Sequence, residues 1–345
     1  MGLLKIRLIA AALLFAGCRE NSEPLADSGW VREDRLLYHG IPSRVEFRSD
    51  PGLPRDLAAS AFAEFERIGR VVNAFAGDSE VGVLNALRKQ GPVSVSRDLD
   101  RLMTLSRGLW AETAGAFDPT IWPLKRLWLD AARADRLPAA EDVHHARMRV
   151  GLGRIVPAGD RCWAFESPDA ELDFGGIAKG YAVDRVSEML RAAGVSSGLV
   201  QCGGEIVAWG ESPSGGPWRI GVQDPLSASR ARGVISSRGP IAVSTSGNYE
   251  QPVRIGGREY YHVFDPRTGE PISTAILGVT VAVLSGEDAG SRADGLATAM
   301  AVLGPGPGLA LAESLDGVAV LFFVRDERGR VKTFLSSRMQ ALYRP

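Results

Sequence analysis

The chain has 345 residues, with 40 Lys+Arg against 41 Asp+Glu, so its formal net charge is −1. This balance argues against a protein that binds nucleic acid by neutralising phosphates over a broad surface. Hydrophobic residues make up 45% and charged residues 23%, which is ordinary for a globular core and excludes a disordered chain, a coiled coil and a polytopic membrane protein.

The first residues predict a signal for export. Basic residues precede an uninterrupted apolar run over residues 8–16, about half the roughly 20 residues that a membrane-spanning helix needs. The segment that ends at Cys18 resembles a bacterial lipobox, in which cleavage leaves an acylated cysteine at the N-terminus. We therefore expect a signal peptide over 1–17, a polar tether over 18–34, and an exported protein held by lipid on the periplasmic side of a bacterial membrane. A plain secretory signal with an incidental cysteine is the alternative.

Beyond the tether, apolar spacing predicts helices in the first half, and strands interrupted by two helices in the second. Helices are expected over 56–75, over 181–193 and over 289–303. A further helix is expected to begin after a cap on Ser96 or Asp98. The short β-type runs are Glu171–Phe174, Gly198–Gln201, Ile206–Trp209, Trp218–Val222, Ile241–Ser244, Tyr260–Phe264, Ile276–Leu284 and Val318–Val324. Because the two types do not alternate strictly, they predict an α+β fold rather than a doubly wound sheet.

A glycine-rich stretch over 173–180, DFGGIAKG, lies between a predicted strand and a predicted helix. Paired glycines let the backbone approach a ligand, and a helix N-terminus attracts an anion, to which Lys179 adds a full positive charge. Neither the Rossmann nor the P-loop spacing is present. The residues alone leave two interpretations open: a phosphate site, or an ordinary connection with a solvated lysine.

Asp294 and Thr298 are four residues apart on the last long predicted helix, so a carboxylate and a hydroxyl share one face. Both are hard oxygen donors of the kind that Mg²⁺ prefers. A surface aspartate with a threonine packed beside it is the alternative, and spacing alone favours it.

His262 lies in the predicted strand Tyr260–Phe264, which runs into an Asp-Pro-x-Thr-Gly turn. Alternation puts Tyr260, His262 and Phe264 on one face of that strand. The imidazole could act as a general base near neutral pH, or it could be a structural histidine hydrogen-bonded within the sheet.

Three further motifs mean little alone. GAFDPT over 115–120 ends a helix in a tight turn, where Asp118 either binds a ligand or caps the turn. CGGE over 202–205 is a glycine-rich hairpin or a close approach to a ligand. STSGNY over 244–249 offers hydroxyls and a bend.

The order of the motifs is more informative than any one of them. Asp-Ser-Glu at 78–80 and Leu-Asn at 84–85 are followed by GAFDPT, DFGGIAKGYAVD, GGE, STSGNY, YHVFDPRTG and ADGLATA. This series closely resembles the ApbE family of FAD:protein FMN transferases, over about residues 35–335. The resemblance implies an α+β, duplicated T-fold-like domain over 35–345, with mixed sheets and a ligand cleft between two lobes.

The resemblance also implies two sets of site residues. FAD contacts would come from His39, Phe75, Ala116, Phe117, Asp118, Asp173, Lys179 and Phe264. One Mg²⁺ would be held by the Gly176 carbonyl with Asp294 and Thr298. The chain departs from the family pattern at His39, where relatives often have Met, and at Ala297, where some carry a second carboxylate.

The activity that the resemblance implies is Mg²⁺-dependent transfer of FMN from FAD. A Thr or Ser hydroxyl of an exported or membrane redox protein would attack the FMN-side phosphorus, forming a phosphoester-linked flavin and releasing AMP. Lys179 and Mg²⁺ would neutralise the phosphate oxygens, and His262 is the candidate general base. The alternatives are a Mg²⁺-dependent FAD pyrophosphatase and a non-catalytic FAD-binding protein. The expected partners are FAD, the client protein and, through Cys18, a lipid membrane, with no nucleic acid.

Overall fold

The computed structural model describes residues 29–38, 40–247 and 253–345. The predicted signal peptide, Cys18 and His39 lie outside the described residues, as does most of the tether. The first half of the chain contains β1 Trp30–Leu37, β2 Ile41–Arg48, α1 Leu57–Val72, α2 Glu80–Leu87, β3 Val93–Ser94, α3 Arg97–Glu112, α4 Trp122–Arg133, α5 Ala140–Met148, a 3₁₀ turn Leu152–Arg154, β4 Ile155–Gly159 and β5 Cys162–Phe165.

The second half begins with the long helix that follows the glycine-rich stretch. Its elements are α6 Ala178–Ala192, β6 Gly198–Cys202, β7 Glu205–Trp209, β8 Trp218–Asp224, β9 Ser227–Ser237, β10 Ile241–Gly247, β11 Val253–Ile255, β12 Arg258–Tyr260, β13 Ile276–Val283, α7 Ala289–Leu303, α8 Pro305–Ser314, β14 Val318–Arg325, β15 Val331–Leu335, α9 Ser337–Leu342 and β16 Tyr343–Arg344.

An eight-stranded sheet in the order β1-β2-β6-β7-β10-β13-β14-β15 forms the centre of the fold. The pairs between its strands are antiparallel, and so are those of the smaller sheets β16-β9-β8, β3-β5-β4 and β11-β12. Where the sequence predicts mixed sheets, the parallel pairing found among the described residues is one isolated bridge, between Ile121 and Glu171. The predicted α+β class is confirmed, and the duplicated, two-lobed arrangement stays a prediction.

The central strands of the large sheet are buried on both faces. Along β14, Val320 and Phe322 belong to the core cluster shared with the helices, whereas Leu321 and Phe323 belong to a second cluster shared with β8, β9 and β16. Such near-continuous apolar runs are typical of strands covered on both sides. A third, smaller cluster joins α4, α5, β11 and Phe264.

The predicted helices are confirmed with small shifts at their ends. α7 has the predicted bounds, α6 begins earlier than predicted, and the side chain of Ser96 rather than Asp98 caps α3 by accepting a hydrogen bond from the Leu99 N–H at 3.2 Å. Cys162 and Cys202 are both free. No helix in the described ranges is long and apolar enough to cross a membrane.

Two predicted strands are wrong. The stretch Glu171–Phe174 is irregular, because the side chain of Asn85 bonds both backbone groups of Leu172 and no neighbouring strand does so. The strand ahead of the Asp-Pro turn ends at Tyr260, so strand alternation does not govern His262. At Leu172 the side chain of Asn85 replaces the ladder, whereas after Tyr260 the backbone bonds residues just downstream, with the Ile272 N–H donating to the Val263 carbonyl at 3.1 Å.

Candidate functional site

The glycine loop, residues 173–177, leads directly into α6, and the side chain of Asn85 anchors the residue that precedes it. Asn85 donates from Nδ2 to the Leu172 carbonyl at 2.9 Å and accepts from the Leu172 N–H at 2.8 Å. Asp173 accepts from the Gly175 N–H at 3.0 Å, and the ring of Phe174 is fully buried. The Leu-Asn motif therefore fixes the path of the chain immediately before the loop.

The loop and α6 press against α7 more closely than side chains allow. A Cβ on Gly180 would lie 2.3 Å from the Gly290 carbonyl oxygen, and one on Gly176 would lie 2.9 Å from Oγ1 of Thr298. Glycine is required at these positions because the opposing atoms are backbone or a short β-branched side chain. This contact brings the start of α6 against the middle of α7.

The three predicted metal ligands converge at that contact. Oγ1 of Thr298 lies 3.3 Å from the Gly176 carbonyl oxygen, to which it donates. Asp294 is buried, and its Oδ2 accepts from the Gly180 N–H at 2.9 Å. A carbonyl, a hydroxyl and a carboxylate are hard oxygen donors, a set that fits Mg²⁺. Within the described ranges no cluster of three or more His, Cys, Asp or Glu could hold a metal, so this candidate rests on carbonyl and hydroxyl oxygens beside one carboxylate.

Lys179 stands at the first turn of α6, beside the predicted metal ligands. Its Nζ lies 3.2 Å from Oε1 of Glu205, a buried carboxylate in the CGGE motif. The hydroxyl of Ser244, from the STSGNY motif, donates to the same oxygen at 3.2 Å. The β6–β7 hairpin thus brings a buried acid to the N-terminal end of α6, and Glu205 is a candidate site residue that the sequence prediction did not include.

A second cation, Lys125 on α4, also faces the glycine loop and is absent from the predicted set. Its Nζ lies 2.6 Å from Oδ2 of Asp173 and 5.3 Å from the ring centroid of Phe75, which is 67% exposed. That ring packs edge-on against Trp122 with centroids 4.7 Å apart. A lone lysine in the apolar run IWPLK was the available signal. An exposed aromatic, a cation and the loop carboxylate therefore share one corner of the site.

The imidazole of His262 is partly exposed, but its Nδ1 is enclosed and finds no hydrogen-bond partner among the residues that the structure describes. Burial lowers the pKa of His262 to about 4, and the positive charges of Lys125 and Lys179 contribute in the same direction. The side chain is therefore neutral at physiological pH, in the form that can accept a proton.

Four of the residues predicted to contact FAD are buried. The side chains of Ala116 and Phe117 are buried in the main core, so a ligand would meet them through the backbone. Asp118 accepts from both the N–H and the hydroxyl of Thr120, at 2.8 and 2.5 Å, and burial raises its pKa. The ring of Phe264 stacks on Trp128 at 6.0 Å in the third core cluster.

Comparison with known proteins gives the same result from both sequence and structure. The sequence matches the ApbE family over residues 39–322. It is 30% identical over 333 residues to an FAD:protein FMN transferase of Vibrio cholerae, covering 95% of this chain and 96% of that one, and 29% identical to one of Klebsiella pneumoniae, covering 99% and 97%.

Solved structures resemble the fold along nearly the whole chain. The Vibrio cholerae flavin transferase ApbE has a TM-score of 0.78 at 28% identity, covering 91% of this chain and 99% of that one. The apo flavinyl transferase ApbE of Pseudomonas stutzeri has a TM-score of 0.78 at 32% identity, covering 91% and 96%. With its fold matched and its motifs gathered around one loop, this chain belongs to the ApbE family.

Proposed function

We propose that this protein transfers FMN from FAD to a Thr or Ser hydroxyl of an exported or membrane redox protein and releases AMP. The observation that carries the proposal is the convergence of the Gly176 carbonyl, Asp294 and Thr298 beside Lys179 at the start of a helix. A site that only carried a flavin would not need hard oxygen donors next to an anion-binding helix end. The names of the relatives support the same reaction class.

The residues of the chain have distinct roles in this reaction. The N-terminus of α6 and Lys179 bind the diphosphate of FAD, and Gly176, Asp294 and Thr298 hold Mg²⁺. When bound, Mg²⁺ supplies charge neutralisation at the phosphate oxygens. The client oxygen forms a bond to the FMN-side phosphorus, the bond from that phosphorus to the bridging oxygen breaks, and AMP leaves with that oxygen.

His262 is the group that we assign to take the proton of the client hydroxyl. Because Nδ1 is enclosed, Nε2 is the nitrogen that meets the hydroxyl. We also assign to Phe75, which is exposed beside Lys125, the contact with one face of the flavin ring. The His262→Ala protein should still bind FAD, measured by fluorescence quenching, while its transfer rate falls by about 10²–10⁴. Full transfer by that protein would move the base role elsewhere.

The reaction itself is tested by mass spectrometry of a client. A flavin-binding domain of an exported redox subunit is incubated with FAD, Mg²⁺ and the protein, next to the same domain with its acceptor threonine changed to valine. A mass increase that matches FMN on the first domain alone supports transfer. Free FMN and AMP without modification would instead show a pyrophosphatase, and intact FAD would show a binding protein.

The metal assignment is tested separately. Asp294→Asn keeps the side-chain volume and one acceptor oxygen but removes the charge, so Mg²⁺-dependent release of AMP should be lost. Asp316→Asn, a fully exposed aspartate after α8, is the matched control and should turn over normally. Normal turnover by folded Asp294→Asn protein would contradict the metal assignment.

We also propose that the mature protein is a periplasmic lipoprotein anchored through Cys18. The support is the short apolar run followed by a lipobox-like segment at the start of the chain. In a bacterial host, labelled palmitate should be incorporated into the protein and not into the Cys18→Ala form. Label in both forms, or in neither, would contradict lipidation at this residue.

A further inference from the structure

Helices α6 and α7 each lack a cap of their own. The residues at their N-cap positions, Ile177 and Asp288, make no side-chain capping bond, and Asp288 has a left-handed backbone conformation with φ 55°. A helix start with unsatisfied N–H groups inside a protein needs acceptors from elsewhere. The acceptors here come from the facing helix.

Asp184, on α6, caps α7. Its carboxylate accepts from the Gly290 N–H at 2.8 Å, from the Ser291 N–H at 2.6 Å and from the Ser291 hydroxyl at 2.7 Å. In return Asp294, on α7, accepts from the Gly180 N–H of α6. Between these two caps, Gly180 and Gly290 touch backbone to backbone. The pair of helices is therefore fastened at two points on either side of a glycine contact.

This arrangement determines which carboxylate oxygen of Asp294 is available to a metal ion. Its Oδ2 is committed to the Gly180 N–H, which leaves Oδ1 as the oxygen that can turn to the carbonyl of Gly176 and the hydroxyl of Thr298. Any slide of α7 along α6 would break that bond and move the three ligands relative to one another. The bonds made by Asp184 oppose such a slide, because they fix the start of α7 against the side of α6.

We propose that Asp184 is a positioning residue for the metal site: by capping α7 from α6 it holds Asp294 and Thr298 in register with Gly176. Asp184 itself touches neither metal nor FAD. The inference rests on the proposed function only for the identity of the metal ligands. Groups that orient metal ligands in this way typically account for about 10–100-fold in metal affinity.

The test compares two carboxylates at the same helix start. Asp184→Asn places an amide N–H₂ against backbone N–H donors and removes the charge. Asp288→Asn is the matched control, because its carboxylate bonds Arg101 and Arg185 rather than the backbone of α7. Both changes remove a partly or fully buried charge, so both should lower the thermal unfolding temperature.

A measurement of metal affinity distinguishes a positioning role of Asp184 from a general loss of stability, which Asp288→Asn also causes. Mn²⁺ alone is titrated into the full-length protein, and free Mn²⁺ is followed by electron paramagnetic resonance. We expect Asp184→Asn to weaken Mn²⁺ binding by about 10-fold or more, and Asp288→Asn to leave it unchanged. Equal affinity in folded Asp184→Asn, or an equal loss in both proteins, would overturn the proposal.

A milder variant covers the case in which Asp184→Asn does not fold. Ser291→Ala removes one of the three bonds to Asp184 and should weaken Mn²⁺ binding in the same direction by a smaller factor, whereas unchanged affinity would overturn the proposal. Asp294→Asn should abolish binding. If the unsubstituted protein bound no Mn²⁺, or if Asp294→Asn bound it normally, the metal assignment itself would be wrong and this inference would fall with it.

Discussion

At the scale of single residues, the most informative pair is His262 and the cation with the larger effect on it, Lys125. Burial keeps the imidazole neutral and the two lysines act in the same direction, so the proposed base is in its proton-accepting form near pH 7 but is intrinsically weak. An anionic diphosphate beside the lysines would offset their charge and raise the pKa of His262 once FAD is bound. Charge on the bound substrate would then adjust the pKa of the proposed base through both lysines.

Removal of Lys125 tests this coupling. Taking away a positive charge makes protonation of the imidazole easier, so Lys125→Met should raise the pKa of His262 from about 4. The acidic limb of kcat/KM should move to higher pH by the same amount. Titration of the imidazole by nuclear magnetic resonance measures the shift directly.

The control for this experiment is Lys332→Met, which removes a lysine whose side chain is 57% exposed on β15. It should leave the His262 titration where it was. Lys179→Met should also raise the pKa of His262, but by less than Lys125→Met, because Lys125 is the larger of the two electrostatic contributions. An unshifted imidazole in Lys125→Met would contradict the coupling.

Whether a site residue can be predicted from the sequence depends on how far along the chain its interaction partner lies. The i,i+4 spacing predicts that Asp294 and Thr298 share a face, and motif order adds Gly176 and Lys179. Lys125 escapes prediction because Asp173, its partner, is 48 residues away and only the fold brings them together. Glu205 escapes for the same reason, since hairpin formation alone does not reveal that a lysine lies opposite.

At the scale of elements, the α6–α7 contact has little tolerance for added atoms. A methyl group on Gly180 would meet the Gly290 carbonyl oxygen and the Cβ of Asp294, at 2.3 and 2.7 Å. Gly180→Ala should therefore lower the free energy of unfolding by at least about 2 kcal/mol, in spite of the higher helix propensity of alanine. Urea denaturation measures the change.

Gly108→Ala measures the gain from the higher helix propensity of alanine without a steric clash. Gly108 lies exposed in the middle of α3, and a methyl group there would have no neighbouring atom within 4 Å, so this change should raise the free energy of unfolding by up to about 1 kcal/mol. Similar effects of the two substitutions would mean that α6 and α7 are not in tight contact. Opposite signs are the expected result.

The long helices α1, α3, α6 and α7 are predictable from this sequence, whereas the shorter helices α2, α4, α5, α8 and α9 and the irregular segments are not. Apolar spacing and a Gly-Pro stop are local signals, so α7 has its predicted bounds. The wrong strand over 171–174 has strand-like composition, but Asn85 takes the backbone bonds of Leu172. No local pattern reports a bond to a side chain 87 residues earlier.

At the scale of the whole molecule, the large sheet separates the candidate site from a second layer, formed by β8, β9 and β16. The glycine loop and the proposed metal ligands lie among the helices on one face, and β8, β9 and β16 cover the other. Tyr343, near the C-terminus, is buried in that second layer and donates from its hydroxyl to the Arg232 carbonyl at 3.0 Å. Pairing of this last strand with β9 was not predictable, because it joins segments more than a hundred residues apart.

Tyr343→Ala should destabilise the protein without changing how the folded protein binds FAD. The lost ring leaves a cavity beside Gly233, so the free energy of unfolding should fall by about 3–4 kcal/mol. FAD affinity of the folded protein should not change. Phe334→Ala, an exposed aromatic on β15, should cost less than about 1 kcal/mol. Impaired FAD binding at full folding would show that the two faces are coupled.

The exchange of caps between α6 and α7 also bears on the order in which the protein can be made. The acceptor for the Gly180 N–H lies 114 residues further along the chain. At about 5–20 residues per second, the ribosome needs roughly 6–23 seconds to deliver it. During that interval the start of α6 is uncapped, and the proposed metal ligands of α7 are not yet opposite the glycine loop. A nascent or truncated chain that stops before Asp294 therefore contains most of the motifs but no site, so the binding activity should appear only with the nearly complete chain.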